Sequence, residues 1–311
     1  MKLYKYMSPH AGYEFFKDGT IRVSQNNSLN DPFEVLLTEH DKSKIMELTK
    51  KVIQINNTEY QIHKDISDFL NMSGIISLSK NKESMPMWGN YAADNKGMLV
   101  EFEVDDDDPF SMFDCHMMNS DDAYVCGDVI YSKNRSFNKR MYQYSNEEIL
   151  EISKHYFLTK HESWKHEEEF RFVFPFHNCN KIIALENDSK NKNKLNTLLN
   201  KVVIGTGKND ISNFFECGLL TEGLDFWNTI WRNFDLYKVL FLIKIKPKNI
   251  SAVYLGVNSN VDEFKQSIIE GSKYERGIRT RFYNAVDQNF NDVFKCKLDK
   301  DNFKLEYEPL I

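Results

Sequence analysis

A single α+β domain is the fold class this sequence predicts, and three observations predict it. Short stretches rich in β-branched and aromatic residues recur along the chain, helix-compatible stretches are interspersed among them, and no internal repeat, low-complexity tract or linker divides the 311 residues. The order is mixed, with many strands and scattered helices, which favours one domain over residues 1–311. With 41% hydrophobic residues the chain has enough apolar material for a core of that size.

The elements follow in order. Residues 3–7 alternate as a short strand, and residues 9–17 suit a helix stopped by Asp18-Gly19, because glycine accepts the conformation that closes a helix. Residues 20–24 read as a second strand. The run Asn27-Ser28-Leu29-Asn30-Asp31-Pro32-Phe33-Glu34 predicts an ordered turn, since Asn and Asp side chains bond back to nearby backbone. Residues 42–54 and 61–71 have amphipathic helical spacing and form a helical insertion at 41–72. Residues 74–79 are a buried-type strand, residues 84–93 a helix with Pro86 near its start, and residues 97–104 a strand. Asp105 to Asp108 end that strand as a solvated loop, because adjacent carboxylates point in divergent directions. Residues 123–132 alternate as a strand and residues 146–160 form a helix. Strands follow at 181–185 and 201–205 with a helix at 191–200 between them, then strands at 239–246 and 251–256 and a helix at 261–271. Residues 291–308 read as a hairpin turning at 299–302, within a C-terminal extension at 289–311.

Composition excludes several function classes. A net charge of −6 argues against a surface built wholly for nucleic acid, and the basic residues at 133–140 and 190–194 read as solvated loops. The five cysteines are scattered with no CxxC spacing, so neither a disulfide framework nor a zinc site is expected, and a reducing cytoplasm fits. No apolar signal core opens the chain and no 18-residue apolar run occurs, so neither export nor a membrane partner is expected. The histidines form no HExxH pair, there is no GxSxG elbow, and Gly205-Thr206-Gly207-Lys208 lacks phosphate-loop spacing and reads as a turn. No metal is expected.

The stretch that carries chemistry is Trp164-Lys165-His166-Glu167-Glu168-Glu169-Phe170-Arg171, running into Phe172-Val173-Phe174-Pro175. If it is extended throughout, Glu167, Glu169 and Arg171 share one face while Glu168, Phe170 and Phe172 share the other. Buried charges are costly unless paired, so the run is either an exposed strand edge with an ordinary Glu–Arg pair or the wall of a pocket. A carboxylate on a rigid strand, lined by aromatics and hydroxyls, suits cleavage of a glycosidic bond through an oxocarbenium-like state.

Several separated motifs together resemble a bacterial family catalogued as domain of unknown function 2971. They are Leu3-Tyr4-Lys5-Tyr6, Leu29-Asn30-Asp31-Pro32-Phe33-Glu34, Ser77-Leu78-Ser79, Met87-Trp88-Gly89-Asn90-Tyr91-Ala92, Gly97-Met98-Leu99-Val100-Glu101-Phe102 and Trp164 to Arg171. The resemblance covers roughly the first 175 residues plus 251–256, and it implies a protein of mobile or defence-associated regions. More distantly, the order of elements is similar to the ADP-ribosyltransferase superfamily, without its usual first-strand His or its Arg–Ser-Thr-Ser–Glu-x-Glu set. That similarity implies a twisted or split mixed β-sheet with peripheral helices, NAD as co-substrate in the cleft, and a nucleic-acid or protein acceptor. It implies Lys5 or Tyr6, Ser77 or Ser79, and Trp88, Tyr91 and Arg171 as cofactor contacts, only one of Lys5 and Tyr6 facing the cleft. Glu169 is the first choice for the catalytic carboxylate, with Glu167 positioning the acceptor. Asn30, Asp31, Glu34 and Trp164 are expected to meet substrate or partner, unless the first three only cap their turn. The expected function is an NAD-dependent ADP-ribosyltransferase or NAD-cleaving toxin of anti-phage defence, with a regulatory or antitoxin partner. The alternatives are a non-catalytic binding or sensor module, and a metal-dependent nuclease built on Asp31, Glu34, Glu167 and Glu169.

Overall fold

The computed structural model describes residues 1–56, 66, 69–114, 124–139, 146–184, 214–216, 224–237, 239–273 and 292–310. The strands in chain order are β1 (Lys2–Met7), β2 (Thr20–Val23), β3 (Ser73–Ser79), β4 (Met98–Glu103), β5 (Val125–Asp128), β6 (Ile130–Ser132) and β7 (Thr159–His161). They continue as β8 (Glu169–Pro175), β9 (Lys181–Ala184), β10 (Phe214–Glu216), β11 (Val239–Lys244), β12 (Ile250–Leu255), β13 (Val293–Leu298) and β14 (Leu305–Pro309). The helices are α1 (Pro9–Asp18), α2 (Glu39–Asn56), α3 (Met85–Tyr91), α4 (Asn146–Phe157), α5 (Leu224–Arg232), α6 (Phe234–Tyr237) and α7 (Val261–Lys273). The α+β class therefore holds, with a large mixed sheet.

Eight strands form that sheet in the order β14-β13-β12-β4-β1-β3-β8-β5, and β10-β9-β11-β2 form a second. Among the described residues of these sheets only β12 and β13 run parallel, while β6 and β7 make a separate parallel pair. Phe170, Phe172 and Phe174 project from β8 toward the second sheet and meet Val23, Phe241 and Ile243 in the main core, which α1 and α7 close with Phe15, Phe16 and Phe264. On the opposite face, Val173 and Ile75 pack with Ile45 of α2 and Ile152 and Phe157 of α4. Tyr4, Tyr6 and Tyr254 form a third cluster with Trp88 of α3.

Local sequence explains the ends of these elements. Ser8 accepts a hydrogen bond from the Ala11 N–H at the start of α1, and Gly19 closes the helix at φ 76°. Gly97 has no room for a Cβ, which would stand 2.0 Å from the Met7 carbonyl oxygen. That contact locks the start of β4 to the end of β1. Asp105 to Asp108 are exposed, as a solvated loop requires.

Two expected elements are corrected. The strand expected at 123–132 breaks at Val129, whose N–H donates to the Glu169 carbonyl, after which Ile130 bonds to Leu158 and β6 leaves the large sheet. The helix expected to reach residue 160 stops at Phe157, and 159–161 run extended as β7 beside β6. Helices α5 and α6 and strand β10 were not anticipated. The insertion shows α2 and a helical piece at 69–72, whereas the helix expected at 191–200, the strand at 201–205 and the turn at 205–208 lie outside the described residues. The C-terminal hairpin is β13–β14, an antiparallel extension of the large sheet. Cys126 and Cys296 are free thiols, and among the described residues no helix is long and apolar enough to cross a membrane.

One irregularity positions the site. Every residue of β1 pairs with β4, and every residue of β3 pairs with β8, yet β1 and β3 share the single pair Tyr4↔Ser79. Further along, Ile75 of β3 bridges to Ser24 beyond β2 instead. The large sheet is open between Lys5 to Met7 on one side and Ile76 to Leu78 on the other.

Candidate functional site

Four separate segments bring charge to that opening, the fourth being β8 with Glu169 and Arg171. The turn before α2 supplies Glu34: Asp31 Oδ1 accepts the Phe33 N–H at 2.9 Å, and the Glu34 N–H donates to the Asp31 carbonyl at 3.2 Å. The turn ends on Val35 at φ 58°, a conformation that costs a β-branched residue about 1–3 kcal/mol. Glu34 is left buried and Phe33 exposed. Strand β7 supplies Lys160. A 3-10 turn, Glu162–Glu167, supplies Glu167, and Glu168 follows at φ 42°.

That left-handed residue corrects the facing expected from continuous extension, because alternation begins only at Glu169. Glu167 still meets Glu169 and Arg171. The kink folds its side chain back over the strand, where extension alone would have carried it along one face.

The result is a buried ion cluster in which no charged member exceeds 5% exposure. Lys160 Nζ lies 3.1 Å from Glu34, 2.6 Å from Glu167 and 3.4 Å from Glu169. Arg171 donates to both Glu169 oxygens at 2.6 and 2.9 Å, to the Phe157 carbonyl at 2.8 Å, and to Glu34. Tyr91 donates to Glu167 Oε1 at 2.5 Å and accepts from the Asn30 amide. Tyr131 accepts the Glu169 N–H at 2.8 Å, and Trp164 covers Lys160 Nζ with its ring centroid 4.7 Å away. Each oxygen of Glu167 and Glu169 has a donor.

Burial and pairing pull against each other here. Burial raises the Glu169 pKa, but Arg171 and Lys160 outweigh it and hold the carboxyl down at about 2. At Glu34 burial wins over Arg171 and Lys160, so its pKa is raised. Burial lowers the Lys160 pKa, and Glu169, Glu34 and Glu167 together reverse that into a net rise. Lys5, whose ammonium donates to the Ser77 carbonyl at 2.9 Å across the gap between β1 and β3, is lowered to about 8 by burial despite Glu169. Its charge is the least secured of the group.

A pocket of about 190 Å³ opens above this cluster. It is lined by Lys5, Tyr6, Asn30, Ser77, Ser79, Tyr91, Glu167, Glu169 and Arg171, so most residues named from the sequence do converge. Both Lys5 and Tyr6 line it, because the pocket lies between splayed strands and not over one sheet face. Ser79 donates its hydroxyl to the Glu167 carbonyl at 2.7 Å and accepts the Asn81 N–H at 3.0 Å, which makes it a brace for the turn. Trp88 does not line the pocket. It is fully buried against Tyr6, its indole N–H donating to the Lys82 carbonyl. Asp31 and Glu34 line a neighbouring pocket of about 390 Å³, and Lys160 borders both.

Lys160 is the member of the cluster that sequence reasoning missed. It was placed on a helix, and the signal available was electrical: three buried carboxylates cannot rest on one arginine, so a second cation was required nearby. Among the described residues no group of three or more His, Cys, Asp or Glu side chains is arranged to hold a metal ion. The carboxylates converge on Lys160 and Arg171, which occupy the space a cation would need. The arrangement can hold a polar ligand against fixed negative charge, with ammonium and guanidinium groups beside it.

No curated protein and no solved structure matches this chain. The family described as "Protein of unknown function (DUF2971)" matches residues 87–172, a span from α3 to β8 that includes Tyr91, Lys160, Glu167, Glu169 and Arg171 and supports the first resemblance drawn from the sequence.

Proposed function

We propose that the pocket between β1 and β3 cleaves the glycosidic bond of NAD and passes ADP-ribose to a nucleic-acid or protein acceptor, or to water. The observation that carries the reading is a carboxylate cluster at the floor of an opened sheet. The C1′–N1 bond breaks with its electron pair going to the nicotinamide ring, and C1′ bonds to the acceptor heteroatom, which loses its proton. Glu167 faces the developing cation, because it alone of the pocket carboxylates is free of Arg171 and borders Tyr91. Glu169, held by Arg171 at both oxygens, keeps the charge of the site fixed. This reverses the order of the two glutamates expected from the sequence. Lys5, with a proton bound less firmly than usual, stands beside the cleft as a donor. A volume of about 190 Å³ is below the roughly 300–1,000 Å³ of a pocket enclosing a drug-sized ligand. It suits the nicotinamide-ribosyl end, with the rest of NAD beyond the rim. An effector role in defence, with an antitoxin partner, rests on the family resemblance alone.

The pairing of every Glu167 and Glu169 oxygen favours a second reading, a binding module whose ion cluster is purely structural. Incubation with NAD and mass spectrometry of small molecules and acceptors separates the two. Transfer chemistry predicts nicotinamide release that falls about 100-fold or more in Glu167→Gln, at unchanged binding of NAD. Release equal in wild type and Glu167→Gln, or absent from both, refutes it.

A further inference from the structure

The larger cavity, about 390 Å³, has a volume within the range of small-molecule sites and takes no part in the chemistry above. Its walls combine four features. Asp31 uses only Oδ1 in its turn, and its buried Oδ2 accepts no hydrogen bond. Thr159 Oγ1 is likewise buried and unpartnered. Phe33 is 61% exposed, a flat apolar ring with the Arg135 guanidinium 5.4 Å from its centroid. Lys133 and Arg135 stand along the same wall, Lys133 79% exposed.

An orphaned buried acceptor destabilises the fold until a donor reaches it. A ligand that pairs Asp31 must therefore bring an N–H or O–H. A simple polyamine is disfavoured by Lys133, Arg135 and Lys160, and a simple anion by Asp31 and Glu34. A planar ring suits Phe33, since a base stacks favourably on an aromatic side chain. The ligand that meets Asp31, Phe33 and the two basic residues is planar, carries an amino group on its ring edge, and bears a phosphate outside.

We propose that this cavity is a nucleobase pocket selective for a base with an exocyclic amino group, Asp31 Oδ2 accepting from that amine, Phe33 stacking the ring, and Lys133 and Arg135 meeting the phosphate. The base comes from a free nucleotide or from a single strand. The site goes beyond the NAD-cleaving reading and does not depend on it, because its test measures binding alone.

Calorimetric titration of the full chain with AMP and with IMP is the direct measurement, since the two purines differ only at the 6-position, amino against oxo, and in the proton that IMP carries on the adjacent N1. AMP is expected to bind about tenfold more tightly, a difference of about 1.4 kcal/mol. Asp31→Asn keeps Oδ1 for the turn and replaces Oδ2 with an amide donor, so the preference should invert toward IMP. Phe33→Ala, at an exposed position, should weaken both about tenfold. Equal affinity of wild type for AMP and IMP, no binding of either, or an unchanged preference in a folded Asp31→Asn protein overturns the proposal. A short single-stranded oligodeoxyadenylate then identifies the source: tighter, salt-sensitive binding than AMP marks a strand, and no gain marks a free nucleotide.

Discussion

Replacing Lys160 with methionine takes away the cation that touches Glu34, Glu167 and Glu169 together. At an effective dielectric of about 20, unit charges near 3 Å attract by about 5 kcal/mol each. Against three such contacts stand repulsion from Arg171 and the desolvation of a buried ammonium, itself several kcal/mol. The net expected from stripping one partner out of a buried ion cluster is a loss of about 3–5 kcal/mol. The loss should depend on pH. Without Lys160 the pKa of Glu34, already raised by burial, rises further, and a folded state that binds protons more tightly than the unfolded one gains stability as pH falls. Urea unfolding at pH 8 should show the full loss, a midpoint lower by about 1 M or more, and at pH 5 the loss should shrink by at least about 1 kcal/mol. A variant less than about 1 kcal/mol weaker at pH 8, or equally weakened at both pH values, would show that the cluster is not the buried, mutually dependent unit described.

Other perturbations test other parts. Glu169 has a folded pKa near 2, below its unfolded value, so it contributes stability above about 4.5 that is lost as pH falls toward 2; Glu169→Gln should flatten the acid limb of stability against pH in urea titrations. Lys5, with a folded pKa of about 8, binds its proton less tightly than the unfolded chain, so it makes stability rise as pH climbs from about 8 to 10.5. Lys5→Met should abolish that alkaline rise, and a variant that keeps it would place the titration elsewhere. Gly97→Ala sets a methyl group 2.0 Å from the Met7 carbonyl oxygen, and should cost more than about 3 kcal/mol, as overpacking against backbone does; a thermal midpoint close to wild type would contradict that packing.

The elements with strong local signals were legible in the sequence. Asp18-Gly19 ends α1 where glycine chemistry requires, and the Asn-Asp-Pro turn folds on Asp31 as Asx geometry predicts. The grouping of Glu167, Glu169 and Arg171 was legible in their alternation, whereas the addition of Asn30 and Tyr91 to that group came from the family resemblance and not from the residues themselves. What stayed hidden was set by distant pairing. Lys160 lies on β7 only because β6 turns out of the large sheet to meet it, and nothing within residues 146–160 announces that neighbour. The facing of Glu167 depended on one left-handed residue, Glu168, and glutamate carries no preference for that conformation. Trp88 was read as a pocket wall because an aromatic at helical spacing looks the same from sequence whether it faces ligand or core.

The lone Tyr4↔Ser79 pair also divides the protein's resistance to unfolding. On one side of it β1 is laddered to β4 and so to β12, and on the other β3 is laddered to β8 and β5, so each block holds its own amides against exchange better than the two blocks hold each other. A ligand seated between Lys5 and Ser77 binds both blocks at once, and its binding energy then adds directly to the barrier against their separation. Occupancy of the pocket should be readable as slowed hydrogen exchange along β1 and β3, far beyond the few residues a small ligand can touch.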